Sequence, residues 1–226
     1  MGSLERALKF PFADPGWKPK LVFGGILNLI AAALGFIPYI GVLFWVFFSF
    51  LPLGYAYKIL NNQLQGKEGV LPAWEGWEDL CKRGFFVFLI VFGYWVLPGA
   101  LYWIGINLWY GSGFSAFIGV FFLILGFAIG LVAFFLLPMA LAFYVQKGEH
   151  LTTAFQWKGI VEKIWLVQRE YFIGWVASLV LFAALLFLRT QVPFLGWILF
   201  AFGFFYVSLV VASLFGRICR EEGHPT

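Results

Sequence analysis

The sequence predicts an all-α membrane protein, a polytopic helix bundle with about six transmembrane helices in three hairpins. Of its 226 residues, 62% are hydrophobic and 12% charged, and the mean hydropathy is +0.91. Soluble domains have about 45–50% apolar and about 25% charged residues. Moreover, 25 of the 26 charged side chains (15 basic, 11 acidic) lie within residues 5–20, 58–83, 147–170 and 217–222. A soluble fold could not cover its surface with so few charges, so the uncharged stretches are predicted to lie in a bilayer.

Six apolar stretches approach or exceed the roughly 20 helical residues that cross a bilayer. Helices are expected because an unpaired backbone group costs several kcal/mol in hydrocarbon. The predicted spans, in one membrane domain covering residues 1–226, are 21–36, 42–59, 85–106, 116–145, 171–188 and 194–216. Because the first span is the shortest, a re-entrant first hairpin stays open as an alternative to full crossing, which is favoured.

The turns of the first and third hairpins match class for class. Residues 37–41 read Ile-Pro-Tyr-Ile-Gly, and residues 192–196 read Val-Pro-Phe-Leu-Gly. One interpretation is an internal repeat about an axis along the membrane normal. The other, slightly favoured, is that two tight turns independently selected Pro and Gly, which interrupt helices.

Lys and Arg are distributed unevenly across the predicted membrane. If the spans alternate, 14 of the 15 lie on one side and Arg189 lies alone on the other. Cytoplasmic loops are enriched in these residues. We therefore predict a multi-pass protein of the cell (plasma) membrane with both termini and both long loops in the cytoplasm.

Two cytoplasmic segments, residues 70–84 and 151–170, have the pattern of amphipathic helices at the membrane surface. A shorter candidate covers residues 4–10. The apolar faces of the two longer segments contain Trp74, Trp77, Leu80 and Cys81 in the first and Ala154, Trp157, Val161, Ile164 and Trp165 in the second. The four tryptophans are candidates for a cytoplasmic interface; the alternative is that they only anchor the bundle at the headgroups.

Within the spans, prolines and glycines are the main irregularities. Pro52, Pro98 and Pro138 are predicted to kink their helices, and Gly126-x-x-x-Gly130 gives one helix a small-residue face for close packing. Ordinary packing explains them, but kinked helices could also open an aromatic cavity suited to an acyl or prenyl-like chain. The polar residues that could orient such a ligand are Asn28, Ser49, Asn107 and Ser178.

No catalytic, cofactor-binding or metal site is predicted. His150 and His224 have no companion at metal-ligand spacing, and Cys81 and Cys219 form no C-x-x-C pair. Phosphate-binding loops and nucleophile motifs are absent from the sequence. The spans also lack the acids and histidines that ion-coupled transporters place at mid-membrane. We therefore expect membrane lipids as partners, no nucleic acid, and no enzymatic activity.

Several short motifs resemble those of a known family. The most specific are Gly54-Tyr55 and Leu71-Pro72-x-Trp74-x-x-Trp77, with Phe10-Pro11-Phe12, Asp14 and Trp17 before them and Gly84 after them. Over about residues 4–217 the chain resembles the uncharacterised membrane proteins grouped as domain of unknown function 4013. The resemblance implies the same architecture and carries no catalytic residue.

Two functions follow from these patterns. The favoured one is a structural or interaction protein that engages a second copy or another membrane protein through its cytoplasmic face. The alternative is a passive transporter, channel or lipid-binding protein. The first predicts a closed bundle with an exposed apolar flank, and the second predicts a cavity reaching Pro52, Pro98 or Pro138.

Overall fold

The computed structural model describes residues 3–67, 69–192 and 194–220, and over these residues the chain is helical with no strand. Six helices are long and apolar enough to cross a membrane, which confirms the predicted fold class. The α-helices are α1 (Ser3–Lys9), α2 (Trp17–Leu34), α3 (Gly41–Leu64), α4 (Trp77–Trp109), α5 (Phe114–Gln146), α6 (Trp157–Leu166), α7 (Gln168–Gln191) and α8 (Leu195–Arg220), and all except α1 and α6 are candidate spans.

Each predicted span is present, and most helices extend past the predicted limits because their polar ends continue beyond the hydrocarbon. The shortest, α2, has 18 residues, or about 27 Å at 1.5 Å per residue, close to the thickness of the hydrocarbon core. The turns after Leu34, Trp109 and Gln191 lie at one end of the bundle, called here the turn end. The long loops, α1 and the last turn of α8 lie at the other, called the loop end.

Helices α3 and α8 form the centre of the bundle. α8 packs against α1, α2, α3, α5 and α7, whereas α3 packs against α2, α4, α5 and α8. Large side chains of α8, including Phe205, Leu209 and Phe215, are fully buried at these contacts. The hairpin of α4 and α5 joins this centre on one side, and α7 joins it through α8.

Glycines allow the closest backbone contact in the bundle, between α3 and α4. A Cβ atom on Gly54 would lie 2.0 Å from the carbonyl oxygen of Leu80, and one on Gly84 would lie 1.8 Å from that of Phe50. Real Cβ atoms never approach so closely, so both positions require glycine. Small residues serve this purpose generally where membrane helices cross.

The glycine face of α5 packs against α4 around Pro98. A Cβ atom on Gly126 would lie 3.2 Å from the carbonyl oxygen of Pro98, and one on Gly130 would lie 3.7 Å from the Pro98 Cβ atom. One heptad earlier, a Cβ on Gly119 would lie 2.6 Å from the amide nitrogen of Trp109. The small-residue face therefore serves helix packing.

The first and third turns share their backbone geometry as well as their sequence. The aromatic residue has positive φ in both, 66° for Tyr39 and 59° for Phe194. The amide of the turn glycine donates to the carbonyl of the first turn residue, at 2.9 Å in residues 37–41 and at 2.8 Å in residues 192–196. The rings of Phe36 and Trp197, 5.4 Å apart, bring the two turns side by side.

The predicted amphipathic helix over residues 70–84 is wrong in its first half. Residues 70–76 are not helical, and α4 begins at Trp77 and continues into the membrane. Pro72 disfavours a helix before it. The hydroxyl of Tyr55 donates to the Pro72 carbonyl at 2.8 Å, and the Trp74 indole N–H donates to the Lys20 carbonyl at 3.1 Å. These bonds hold the segment against α2 and α3.

The second predicted segment, residues 151–170, is divided in three. A 3-10 turn covers Leu151–Phe155, α6 follows, and Val167 separates α6 from α7. Ile160 and Ile164 of α6 are buried, whereas Trp157 and Trp165 are exposed. The shorter candidate over residues 4–10 corresponds to α1, whose Ala7 is fully buried.

Candidate functional site

A cavity of about 340 Å³, partly open to the surface, lies between helices of the bundle, with α3, α4, α5, α7 and α8 in its wall. Small-molecule pockets typically measure about 300–1,000 Å³. The wall is almost wholly apolar and rich in aromatic rings: Trp95, Phe134, Trp175, Phe182, Phe204 and Phe215. Such a wall suits a hydrocarbon chain. It has no charged group and too few polar groups to replace the water shell of an ion. We call this space the central cavity.

Pro138 lines the central cavity at an interruption of α5. Proline has no amide hydrogen, so the carbonyl of Phe134 loses its normal helical donor. One residue further on, the Tyr171 hydroxyl donates to the Phe135 carbonyl and accepts the Met139 amide hydrogen at 3.3 Å. In a straight helix those two backbone groups would pair with each other. The fully buried Tyr171 therefore binds two backbone groups of this turn of α5 beside the cavity.

Aromatic side chains bridge α5 and α7 around this interruption. The Phe134 ring lies 6.5 Å from that of Trp175 and 6.0 Å from that of Phe182, measured between centroids. The Phe135 ring lies 5.2 Å from that of Tyr171. Rings therefore fill part of the space between the two helices and form a wall of the central cavity.

Few polar groups line the central cavity. The indole N–H of Trp175 is buried and has no hydrogen-bond partner among the described residues. Ser178 and Ser208 donate within their own helices, to the carbonyls of Gly174 at 2.8 Å and Phe205 at 2.6 Å. Their oxygens can still accept a hydrogen bond. Trp175 thus carries a buried donor without an acceptor among the described residues, and such a group is costly when buried.

A charged cluster lies next to the cavity at the loop end. Tyr57 lines the cavity and donates to the carboxylate of Glu149. Arg83 pairs with Glu149, with Asp79 at 2.7 Å and with the Tyr57 oxygen at 2.7 Å. The cluster joins α3, α4 and the loop after α5, and keeps these charges at the loop end of the cavity.

A second cavity, of about 480 Å³, lies toward the turn end between α2, α3, α7 and α8. Asn28, Ser49 and Arg189 line it together with apolar residues. The Arg189 guanidinium lies 3.8 Å from the centroid of the Trp197 ring. Phe204 lines both cavities, which are therefore neighbours. We call this space the turn-end cavity.

The polar residues singled out by the sequence divide between these spaces. Asn28 and Ser49 line the turn-end cavity, and Ser178 lines the central cavity. Asn107 lines neither; its side-chain amide donates to the Trp103 carbonyl at 2.7 Å on an exposed face. Three of the four residues are therefore placed where a ligand could contact them.

The three span prolines have different surroundings. Pro138 lines the central cavity. Pro98 is buried against the glycine face of α5, and Pro52 is buried within α3 near the close α3–α4 contact. Of the three predicted kink sites, Pro138 is thus the one that lines either of these two cavities.

The four candidate interface tryptophans are not equivalent. The Trp74 ring stacks on that of Tyr55 with centroids 4.2 Å apart, and its N–H bonds the Lys20 carbonyl, so this side chain packs within the bundle. Trp77, Trp157 and Trp165 are 46%, 51% and 66% exposed. Exposed rings at this level match the aromatic belt of membrane proteins.

The N-terminal turn and the segment 70–76 meet in a buried ion pair. The Lys20 ammonium lies 2.5 Å from the Asp14 carboxylate and also donates to the Leu71 carbonyl at 2.6 Å. The hydrogen bond from Lys20 is the main cause that lowers the pKa of Asp14, so the pair is ionised at neutral pH. These residues, with Tyr55 and Trp74, form a loop-end clamp that ties α2, α3 and residues 70–76 together.

Tyr171 and Trp175 are the residues that the sequence analysis missed. They lie four positions apart on α7 and therefore share one helix face. However, the chain has 30 Phe, 11 Trp and 9 Tyr, so an aromatic pair at that spacing carries little information. The useful signal would have been the position of α7 relative to Pro138, which depends on tertiary packing.

Comparison with known proteins bears on the family and the fold. A family model described as "Protein of unknown function (DUF4013)" matches residues 37–194, from the first turn to the third. No curated protein and no solved structure matches the chain.

Proposed function

The chain belongs to the DUF4013 family, a family of unknown function, and from its geometry we propose that this multi-pass membrane protein binds a lipid chain in the central cavity. The observation that carries the proposal is the cavity itself, about 340 Å³ with an almost wholly apolar wall beside Pro138. It is the arrangement expected of the passive lipid-binding alternative, which required a cavity at one of the span prolines.

The wall of the cavity favours a hydrocarbon chain over an ion or a sugar. An ion would have to shed its hydration shell, and membrane ion sites replace that shell with carboxylates, histidines or carbonyls. None of the 11 Asp and Glu residues and neither histidine lies within the uncharged stretches 21–57, 84–146 and 171–188. Burial of hydrocarbon in an apolar wall needs no such group.

Filling the cavity tests this function. Ala56 lines the cavity on α3, so Ala56→Phe should exclude the chain and weaken lipid binding by about 1–3 kcal/mol, or roughly 5- to 150-fold. Native mass spectrometry of the detergent-purified protein, titrated with a phospholipid, measures the bound fraction. The matched control is Ala184→Phe on the exposed face of α7, which should bind as the parent protein does.

The same mass spectra distinguish lipid binding in the central cavity from assembly with a second copy of the protein. If Ala56→Phe and Ala184→Phe retain lipid equally, the central cavity is not the binding site. The assembly function rests on the exposed Trp157 and Trp165 of α6. It would be favoured by a dimer that forms without lipid and dissociates in Trp165→Ala; a monomer with one bound lipid would favour the cavity.

We further propose that the loop end faces the cytoplasm of a cell membrane, because 14 of the 15 Lys and Arg residues lie in its segments. A cysteine introduced by Glu78→Cys, at an exposed position of α4, should react with an impermeant maleimide only after the cells are permeabilised. Labelling of intact cells would reverse the assignment.

A further inference from the structure

Arg189 is the one charged residue of the turn end within the described chain, and no acid of the protein can neutralise it there. Every Asp and Glu lies within residues 5–20, 58–83, 147–170 or 217–222, away from the turn end. The nearest along α7, Glu170, is 19 residues away, or about 28 Å along the helix. An arginine beside hydrocarbon turns its charge toward water or the headgroups, where an anion from outside the chain can pair with it.

The turn does not explain the arginine. A Cβ atom on Gly196 would lie 2.7 Å from the Arg189 carbonyl oxygen, and one on Gly41 would lie 2.5 Å from that of Leu34. Leu34 thus occupies the equivalent place in the first turn, seven residues before the glycine. Because the first turn forms with Leu34 at this place, the turn itself does not require a guanidinium, and the arginine has another role.

The surroundings of Arg189 suit an anionic headgroup. One face of its guanidinium stacks on Trp197, at 3.8 Å from the ring centroid. Stacking leaves the N–H donors in the plane of the group, where they can form paired bonds to a phosphate. Asn28 and Ser49 line the same cavity and offer further polar atoms beside it.

We propose that the turn-end cavity binds the phosphate of an anionic phospholipid, with Arg189 as its charged contact and the acyl chain directed past Phe204 toward the central cavity. This inference rests on the proposed lipid-binding function and adds the class of headgroup. A lipid fits better than free phosphate because most of the wall is apolar, and because Phe204 lines both cavities.

Headgroup selectivity tests the proposal. The purified protein is mixed with equal amounts of phosphatidylglycerol and phosphatidylcholine of identical chains, and the bound lipids are counted by native mass spectrometry. The parent protein should prefer the anionic lipid by about fivefold or more, the effect of one interfacial arginine. Arg189→Gln should remove that preference while still binding lipid, and Arg189→Lys should retain part of it.

The control variant is Arg169→Gln, which removes the same charge from an exposed position at the loop end and should keep the parent preference. Unchanged selectivity in Arg189→Gln would overturn the headgroup assignment. Displacement of the lipid by millimolar inorganic phosphate would also overturn it, in favour of a free-anion site. If the parent protein binds neither lipid, the proposed function itself fails. If Arg189→Gln does not fold, the test uses Arg189→Lys, which keeps the positive charge. Its preference for the anionic lipid over the neutral one, which should be partly retained, then decides.

Discussion

Replacing Gly84 with alanine is expected to destabilise the bundle by about 3 kcal/mol, at the upper end of the cost of overpacking. The added Cβ atom would lie 1.8 Å from the Phe50 carbonyl oxygen and 2.9 Å from the Gly54 amide nitrogen. Both are backbone atoms, so no rotamer change can relieve the overlap. Instead α3 and α4 must separate where they are closest.

The matched control is Gly99→Ala in the same helix. No atom lies within 4 Å of its Cβ position, and alanine favours the helical conformation, so stability should change by less than ~1 kcal/mol. Unfolding of both variants in mixed micelles of increasing denaturing detergent measures the difference. Equal stability of Gly84→Ala and the parent would show that α3 and α4 are farther apart than described.

Removing the Tyr171 hydroxyl is the second large expected effect. Tyr171→Phe leaves the Phe135 carbonyl and the Met139 amide without the group that bridges them. A buried unsatisfied group costs about 1–3 kcal/mol. Part of the cost is recovered if the two backbone groups pair directly, so we expect a loss of roughly 2 kcal/mol. Because Tyr171 holds the turn of α5 that carries Pro138 in the cavity wall, its loss should also lower lipid binding.

Tyr206→Phe is the control for this variant. Its hydroxyl donates to the Leu8 carbonyl at 2.8 Å near the loop end, where the side chain is partly exposed. Water can replace this bond, so the loss should be roughly 1 kcal/mol or less, with unchanged lipid binding. The role given to Tyr171 is wrong if both variants lose the same stability and bind lipid equally.

Hydropathy and charge predicted the spans well because a membrane helix must satisfy its own backbone hydrogen bonds and expose apolar side chains. The predicted ends of the helices at the loop end of the bundle were less accurate. Helix α4 begins at Trp77, well before the predicted residue 85, because a helix can continue into the polar headgroup region. The non-helical conformation of residues 70–76 depends on hydrogen bonds with Tyr55 and Lys20, which are distant in sequence.

Prediction of the candidate site was partial for a related reason. Uncharged polar residues are rare in the spans, so Asn28, Ser49 and Ser178 could be selected from sequence and do line cavities. Tyr171 and Trp175 could not, because they are two of many aromatic residues. Their position beside Pro138 results from the packing of α7 against α8 and of α8 against α5.

The motifs that identify the family mostly build the structure. Gly54 and Gly84 permit the α3–α4 contact, and Tyr55, Leu71 and Trp74 belong to the loop-end clamp or contact it. None of them lines either cavity. In this chain the motifs therefore serve the fold, and the proposed lipid site lies in the less distinctive apolar spans.

The most direct test of lipid binding is an experimental structure of the protein in a lipid nanodisc, at a resolution that shows side chains. We predict elongated density in the central cavity, passing Pro138 and lying against the Trp175 side chain. A cavity closed by direct packing of α5 on α7, with no such density, would contradict the account.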